Sequence, residues 1–69
     1  MNKLYDEIKE EIDTHIKSLK DKNRKFLYMM SIAIDGNTAD QLTQYYKKLY
    51  HRVEIKPCPR KLYDIIIEL

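Results

Sequence analysis

The chain contains few of the residues that cross-link or interrupt small proteins. Its 69 residues include one cysteine, one glycine, two prolines and no tryptophan. A single cysteine excludes an intramolecular disulfide, and phosphate-binding loops need several glycines. No apolar run approaches the ~20 residues of a membrane span, and the charged N-terminal residues argue against a signal peptide. The sequence therefore predicts one helical domain, 1–69, in the cytoplasm and with no membrane partner.

Patterns that support catalysis or metal binding are also missing. His15 and His51 have no sequence-local nucleophile or orienting partner. Together with Cys58 they lack the paired spacings of structural zinc sites. We therefore expect no enzyme active site, no metal ion and no cofactor.

Hydrophobic periodicity predicts two amphipathic helices. The first covers about residues 3–20 and has apolar residues at spacings of four and three: Leu4, Ile8, Ile12, Ile16 and Leu19. The second covers about residues 39–52. It follows a capping box in which the Thr38 hydroxyl at the N-cap is answered by Gln41. Its apolar face is formed by Leu42, Tyr45, Tyr46, Leu49, Tyr50 and Val53.

Residues 26–34, between these two segments, are apolar almost all round. This pattern is typical of a buried central helix, although a buried strand has the same pattern. The Met, Leu and Ala residues favour a helix. Gly36 is expected to end that helix with a left-handed cap.

The C-terminal segment has two interpretations. Pro57 and Pro59 hold the residues before them out of the helical region, and the isoleucines at 65–67 favour a β-hairpin. Pro59 near a helix start, with apolar residues at helical spacing after it, favours a fourth helix. We prefer the helix. The predicted fold class is therefore an all-α bundle of three or four helices, with three helices plus a C-terminal β-hairpin, winged-helix-like, as the alternative.

Charge is distributed unevenly along a chain whose net charge is +2. Residues 1–19 contain three basic and five acidic groups, whereas residues 47–61 contain six basic groups and only Glu54. A local basic block is typical of a surface that meets an acidic partner, and also of an ordinary solvated surface.

The junction before the second amphipathic helix has the spacing of a helix-turn-helix unit. Gly36 precedes the cap residue Thr38 by two, and Leu42 and Tyr45 follow the glycine by six and nine. The residues on either side of the glycine are polar, where the motif has apolar ones. This frame predicts a DNA-binding transcription regulator. Its contacts to the major groove and to phosphates would come from Thr43, Gln44, Lys47, Lys48, His51, Arg52, Lys56, Arg60 and Lys61.

The alternative function is a protein–protein interaction module, an adaptor or inhibitor that docks on a larger protein or forms a homodimer. Six tyrosines and three methionines supply side chains that are enriched at interfaces, and so short a chain cannot enclose all of them. The abundance of Ile, Lys and Tyr, whose codons are AT-rich like those of Asn, suggests a phage or mobile-element type of regulator.

Overall fold

The computed structural model describes residues 3–69 and contains two helices and a three-stranded antiparallel sheet. The chain is an α+β protein, so the predicted all-α bundle is wrong. The strand order β1-β3-β2 makes β1 and β2 the two edges of the sheet. The elements in chain order are α1 (Tyr5–Asp21), β1 (Phe26–Ile32), α2 (Gly36–Lys47), β2 (Val53–Cys58), a 3-10 turn (Pro59–Lys61) and β3 (Leu62–Glu68).

Both helices cover one face of the sheet and leave the other face open. β1 and β2 are each antiparallel to β3, so they run parallel to one another and α2 is the crossover between them. Leu27, Ile67 and Val53 lie opposite one another in the three strands, and all three are buried against the helices. The buried core consists of Ile8, Ile12, Ile16, Leu27, Ile34, Ala39, Leu42, Tyr46, Val53, Ile65 and Ile67.

The first predicted helix is confirmed, with bounds within two residues of those expected. Ile8 and Ile12 are fully buried and Ile16 nearly so, as the four-residue spacing requires. At the start of α1 the Leu4 N–H donates to the Glu7 carboxylate at 3.3 Å. This bond satisfies one of the backbone donors that a helix leaves unpaired at its N-terminus.

The helix predicted over 39–52 is present as α2, but it begins and ends earlier. Its N-cap is Asp35, whose carboxylate accepts from the Thr38 N–H at 2.7 Å. That bond lowers the pKa of Asp35. Thr38 is therefore a buried residue of the first turn, and the predicted capping box is wrong. Gly36 is the first helical residue and has no positive φ, so the predicted left-handed cap is wrong too.

Residues 26–32 form strand β1, so the predicted central helix is wrong. Leu27 lies opposite Ile67 and Met29 opposite Ile65. Only Leu27 in this strand is fully buried, and Tyr28 is 60% exposed. The segment is apolar on both faces even though one face is open to solvent, which removes the alternation that identifies a strand.

Residues 53–58 and 62–68 form a hairpin, so the preferred fourth helix is wrong. Ile65 and Ile67 are fully buried and Ile66 is half-buried, which is the two-residue period of a strand. The hairpin turn holds Arg60 and Lys61 at φ 69° and 61°. With β1 in place of a helix, the three-helix alternative is wrong as well, although its hairpin forms.

Candidate nucleic-acid interface

The topology brings two loops to the same end of the sheet. β1 and β2 begin at this end, where β3 finishes. Beyond the last pairs of the ladder, the Leu69 N–H donates to the Lys25 carbonyl at 2.7 Å. The Glu68 N–H donates to the Arg52 carbonyl at 3.0 Å. The loop that follows α1 and the loop that follows α2 therefore lie on either side of the end of β3.

We call this surface the basic end and define it as residues 20–25 and 47–52. It contains His51 and seven of the 13 Lys and Arg side chains. These seven are Lys20, Lys22, Arg24, Lys25, Lys47, Lys48 and Arg52. Within these two ranges Asp21, the last residue of α1, is the only Asp or Glu, and Glu68 lies beside Arg52. Apart from Glu68, the rest of the chain has the opposite balance, six cations against nine carboxylates. A positive field concentrated at one end attracts polyanions.

Most cations of the basic end are free to pair with an incoming anion. The Lys20 ammonium lies 5.3 Å from the centroid of the Tyr50 ring. Arg52 Nε lies 3.7 Å from Glu68 Oε1, and both side chains are well exposed. Within residues 3–69, the remaining five cations of the basic end form no salt bridge with a carboxylate.

Three of the six cations outside the basic end, Lys3, Lys9 and Lys56, are already paired with a carboxylate. Lys3 bonds to Glu11 at 2.7 Å, and Lys9 Nζ lies 2.9 Å from Asp13 Oδ2. The pKa of Lys9 is raised chiefly by its hydrogen bond with Asp13. A phosphate that approached these lysines would also meet their carboxylate partners, so this part of the surface is a poor anion site.

Exposed aromatic rings border the basic end at the start of β1. A cleft of about 560 Å³ is lined by Leu19, Lys22, Arg24, Lys25, Phe26 and Tyr28. The rings of Phe26 and Tyr28 stack with centroids 6.0 Å apart and planes inclined by 27°. Phe26 is 39% exposed, less than Tyr28 but still accessible. This cleft can therefore offer a planar apolar surface and positive charge to the same ligand.

The nine predicted contact residues fall into separate groups. Lys47, Lys48, His51 and Arg52 belong to the basic end. The other predicted cations, Lys56, Arg60 and Lys61, lie towards or in the hairpin turn. Strand β2 between the two groups has six residues, about 17 Å at ~3.3 Å per step. The two groups are therefore separated along this strand, and only the first belongs to the basic end.

The helix-turn-helix frame is wrong, because the element directly before α2 is strand β1, where the motif requires a helix. Thr43 and Gln44 thereby lose the geometry that made them base-reading candidates. The half-buried Thr43 donates its hydroxyl to the Ala39 carbonyl at 2.8 Å, while Gln44 is exposed on α2. Lys56 Nζ lies 3.5 Å from Glu54 Oε2.

Six residues of this surface were not predicted from the sequence: Lys20, Lys22, Arg24, Lys25, Phe26 and Tyr28. Local sequence patterns predict no role for the loop, and the apolar pattern of residues 26–34 predicts that both aromatic residues are buried. The available signal was three cations at 22–25 directly followed by an aromatic residue. That signal is short, and only the fold joins it to residues 47–52.

A second cleft, of about 380 Å³ on the outer side of α1, has a different character. It is lined by Glu7, Glu10, Glu11, Thr14 and His15, so it is unfavourable for an anion. Over residues 3–69, no group of three or more His, Cys, Asp or Glu side chains is placed to hold a metal ion. No helix in the same range is long and apolar enough to cross a membrane.

Comparisons with protein-family models, with curated proteins and with solved structures gave no match.

Proposed function

We propose that the protein is a non-enzymatic regulator that binds nucleic acid, DNA in the first instance, through the basic end. The proposal depends on one observation: the C-terminal ends of two helices and the loops after them, far apart in sequence, place seven cations together with only Asp21 and Glu68 as acidic neighbours. Cations that neutralise phosphates release condensed counterions, which supplies affinity independent of sequence.

The unpaired state of these side chains supports the proposal further. A cation that already holds a carboxylate must exchange one partner for another when it binds phosphate, so its net gain is small. Arg24 and Lys25 have no such partner within the described part of the chain. Their charge is therefore available to a ligand, like that of the other unpaired cations of the basic end.

A cytoplasmic location belongs to the same proposal. Nucleic acid is met there, and the chain carries a single thiol, Cys58, which suits a reducing compartment. Hydrogen bonding to the Asp64 carboxylate raises the pKa of this thiol. Cys58 is therefore expected to stay protonated and unreactive near neutral pH.

The test compares two variants that lose the same charge at opposite ends of the molecule. Arg24→Gln with Lys25→Gln neutralises two cations of the basic end, and Arg60→Gln with Lys61→Gln neutralises two in the hairpin turn. Binding of labelled single-stranded and duplex DNA is measured by fluorescence anisotropy over a series of salt concentrations. The basic-end variant should bind more weakly, with the slope of log K against log salt reduced by about 1.4 to 1.8 for two lost contacts. The hairpin variant should keep the wild-type slope.

Two results would contradict the proposal. Equal weakening by both variants would mean that only overall charge matters and that the basic end is not a site. Absence of measurable binding to every DNA probe at low salt would remove the function itself, because electrostatic binding is strongest there.

A protein–protein interface is the second candidate, and the open edge of β1 favours it. The strand sequence FLYMMSI has no charged residue, and Tyr28 and Met30 are 60% and 62% exposed. Uncharged edge strands readily pair with another strand, and a second copy added antiparallel to β1 would form a six-stranded homodimer. Sedimentation tests this: wild type should dimerise and Met30→Lys should not. A wild-type protein that stays monomeric at high concentration contradicts this candidate.

A further inference from the structure

The aromatic rings beside the basic end distinguish between kinds of nucleic acid. We propose that the basic end binds single-stranded nucleic acid, with Tyr28 and the adjacent Phe26 as a stacking surface for unpaired bases. This inference depends on the proposed function, because phosphate contacts of the basic end bring the strand to the rings.

The position of the two rings makes them available for stacking. Tyr28 lies opposite Ile66 and Phe26 opposite Glu68, on the face of the sheet that no helix covers. Tyr28 exposes 60% of its surface, so the fold does not need its ring for core packing. Every base has a planar face, and base–aromatic stacking is therefore tolerant of sequence.

Cations and rings are close enough to act on one strand. Lys22, Arg24 and Lys25 line the same cleft as the two rings. A single nucleic-acid strand whose phosphates contact these cations can turn its bases towards the two rings on the β-sheet. A positive groove combined with aromatic side chains is the arrangement by which proteins hold single strands without base-specific hydrogen bonds.

Acidic residues on the other side of the rings indicate on which side of Phe26 and Tyr28 the nucleic-acid backbone lies. Ile66 is the cross-strand neighbour of Tyr28 on one side and of Glu54 on the other, and Glu68 lies directly opposite Phe26. Both carboxylates repel phosphates. The phosphates are therefore expected on the loop side of the rings, next to Arg24, with the bases over Tyr28.

A duplex gains much less from this surface. Its bases are already stacked within the helix, so only the cations contribute to binding. The two helices are poorly suited to a major groove: the outer side of α1 carries three glutamates, and the first turn of α2 contains no basic residue and is followed by exposed Asp40. The surface therefore favours unpaired strands.

The experiment uses three labelled probes of about eight nucleotides: a mixed-sequence single strand, an abasic strand with the same phosphates, and the duplex. The test variant is Tyr28→Thr, which removes the ring and keeps a residue suited to a strand. The matched control is Met30→Thr, an equally exposed residue in the same strand. Tyr28→Phe keeps the ring and should bind like wild type.

Wild type should bind the single strand more tightly than the abasic strand or the duplex. Tyr28→Thr should weaken single-strand binding by about 5- to 150-fold, the range expected for the loss of one stacked base. Tyr28→Thr should bind the abasic strand and the duplex with the same affinity as wild type. Met30→Thr should have the wild-type affinity for all three probes.

The failures of the two proposals are distinguishable. Equal affinity of wild type for normal and abasic strands would overturn stacking and leave the phosphate-binding proposal intact. Equal effects of Tyr28→Thr and Met30→Thr, or loss of binding in Tyr28→Phe, would also overturn it. A changed oligomeric state in Tyr28→Thr with unchanged strand binding would assign the ring to a contact between copies. Failure of all three probes to bind would remove both proposals.

Discussion

The buried hydroxyl of Tyr46 joins the two helices, and its removal should destabilise the fold by a predictable amount. Tyr46 is fully buried, and its hydroxyl donates to Asp13 Oδ1 at 2.6 Å. The other carboxylate oxygen of Asp13 accepts from Lys9 at 2.9 Å. Tyr46→Phe removes the hydroxyl and keeps the ring, so the variant tests the hydrogen bond and creates almost no cavity.

A hydrogen bond to a charged group contributes about 1.5–3 kcal/mol to stability. The Asp13 side chain is 45% exposed and keeps Lys9, so water can partly replace the lost donor. We therefore expect Tyr46→Phe to lower the free energy of unfolding by about 1–2 kcal/mol. In a domain of this size each kcal/mol corresponds to a fall in Tm of about 4–8 °C.

The same contact makes stability depend on alkaline pH. Burial, and then the hydrogen bond with Asp13, raise the pKa of Tyr46 far above its ordinary value of 10.0. The unfolded chain loses the phenolic proton near pH 10.0, whereas the folded chain keeps it. The contribution of the protonated Tyr46 hydroxyl to the free energy of unfolding is therefore fully present below pH 10 and is lost as the pH rises further. The stability difference between wild type and Tyr46→Phe should therefore shrink above pH 10 by up to about 1.4 kcal/mol per pH unit.

Urea unfolding followed by circular dichroism measures these differences as shifts of the midpoint at constant m. Tyr50→Phe is the matched control, since the ring of Tyr50 is half-buried and its hydroxyl has no hydrogen-bond partner within residues 3–69. A double-mutant cycle with Asp13→Ala isolates the contact. The Tyr46–Asp13 hydrogen bond does not stabilise the fold if Tyr46→Phe matches the control, or if its effect is unchanged in the Asp13→Ala background.

Two further predictions concern strand β3. Ile65→Ala and Ile67→Ala should each lower stability by about 2–5 kcal/mol, because both side chains are fully buried. Ile66 is half-buried, so Ile66→Ala should lower stability clearly less. Equal urea midpoints for the three variants would contradict the assignment of these residues to a β-strand. Asp64→Asn should lower the pKa of Cys58, because hydrogen bonding to that carboxylate raises it. Alkylation by iodoacetamide, followed by mass spectrometry at mildly alkaline pH, should then be faster than in wild type, and an unchanged rate would argue against the contact.

The helices could be predicted because their signals are local. Repeated four-residue spacing along α1 identifies a buried face within one segment, and the structure confirms it. The start of α2 was misassigned because two capping residues compete within four positions. Asp35 and Thr38 are both good N-caps, and the backbone bond from Thr38 to the Asp35 carboxylate selects the earlier one.

The sheet could not be predicted because its determinants are distant in sequence. Residue 27 pairs with residue 67, and no short window contains both. Phe26, Tyr28 and Met30 occupy the open side of β1, where polar residues would have revealed the alternation. A strand that is apolar on both faces imitates a buried helix, and only its partner strand resolves the ambiguity.

The candidate site was half predicted for a related reason. The basic block at 47–61 is continuous in sequence, but β2 carries its second half to the opposite end of the molecule. The sheet register replaces that half with residues 20–25, which are more than 20 positions away along the chain. Charge clustering in a sequence thus identifies a surface only where no strand separates the charges.

Some cations of the basic end can also be explained without any ligand, because they stabilise the ends of the helices. Their positions relative to the helices separate this structural role from a role in binding. Both helices end there, and basic residues at a helix C-terminus stabilise it through the helix dipole. Lys20 and Lys47 lie in the last turns, and Lys22 and Lys48 are the C-caps, so these four have a structural reason to be basic.

Arg24, Lys25 and Arg52 lie outside both helices, and Arg52 is beside Glu68. Helix stability gives no reason for the positive charge of Arg24 and Lys25. Neutralising this pair should therefore change the free energy of unfolding by no more than about 0.5 kcal/mol, as for ordinary surface substitutions. If nucleic-acid binding falls while stability stays constant, the charge of these two residues serves the ligand. If stability falls with it, the basic end serves the fold.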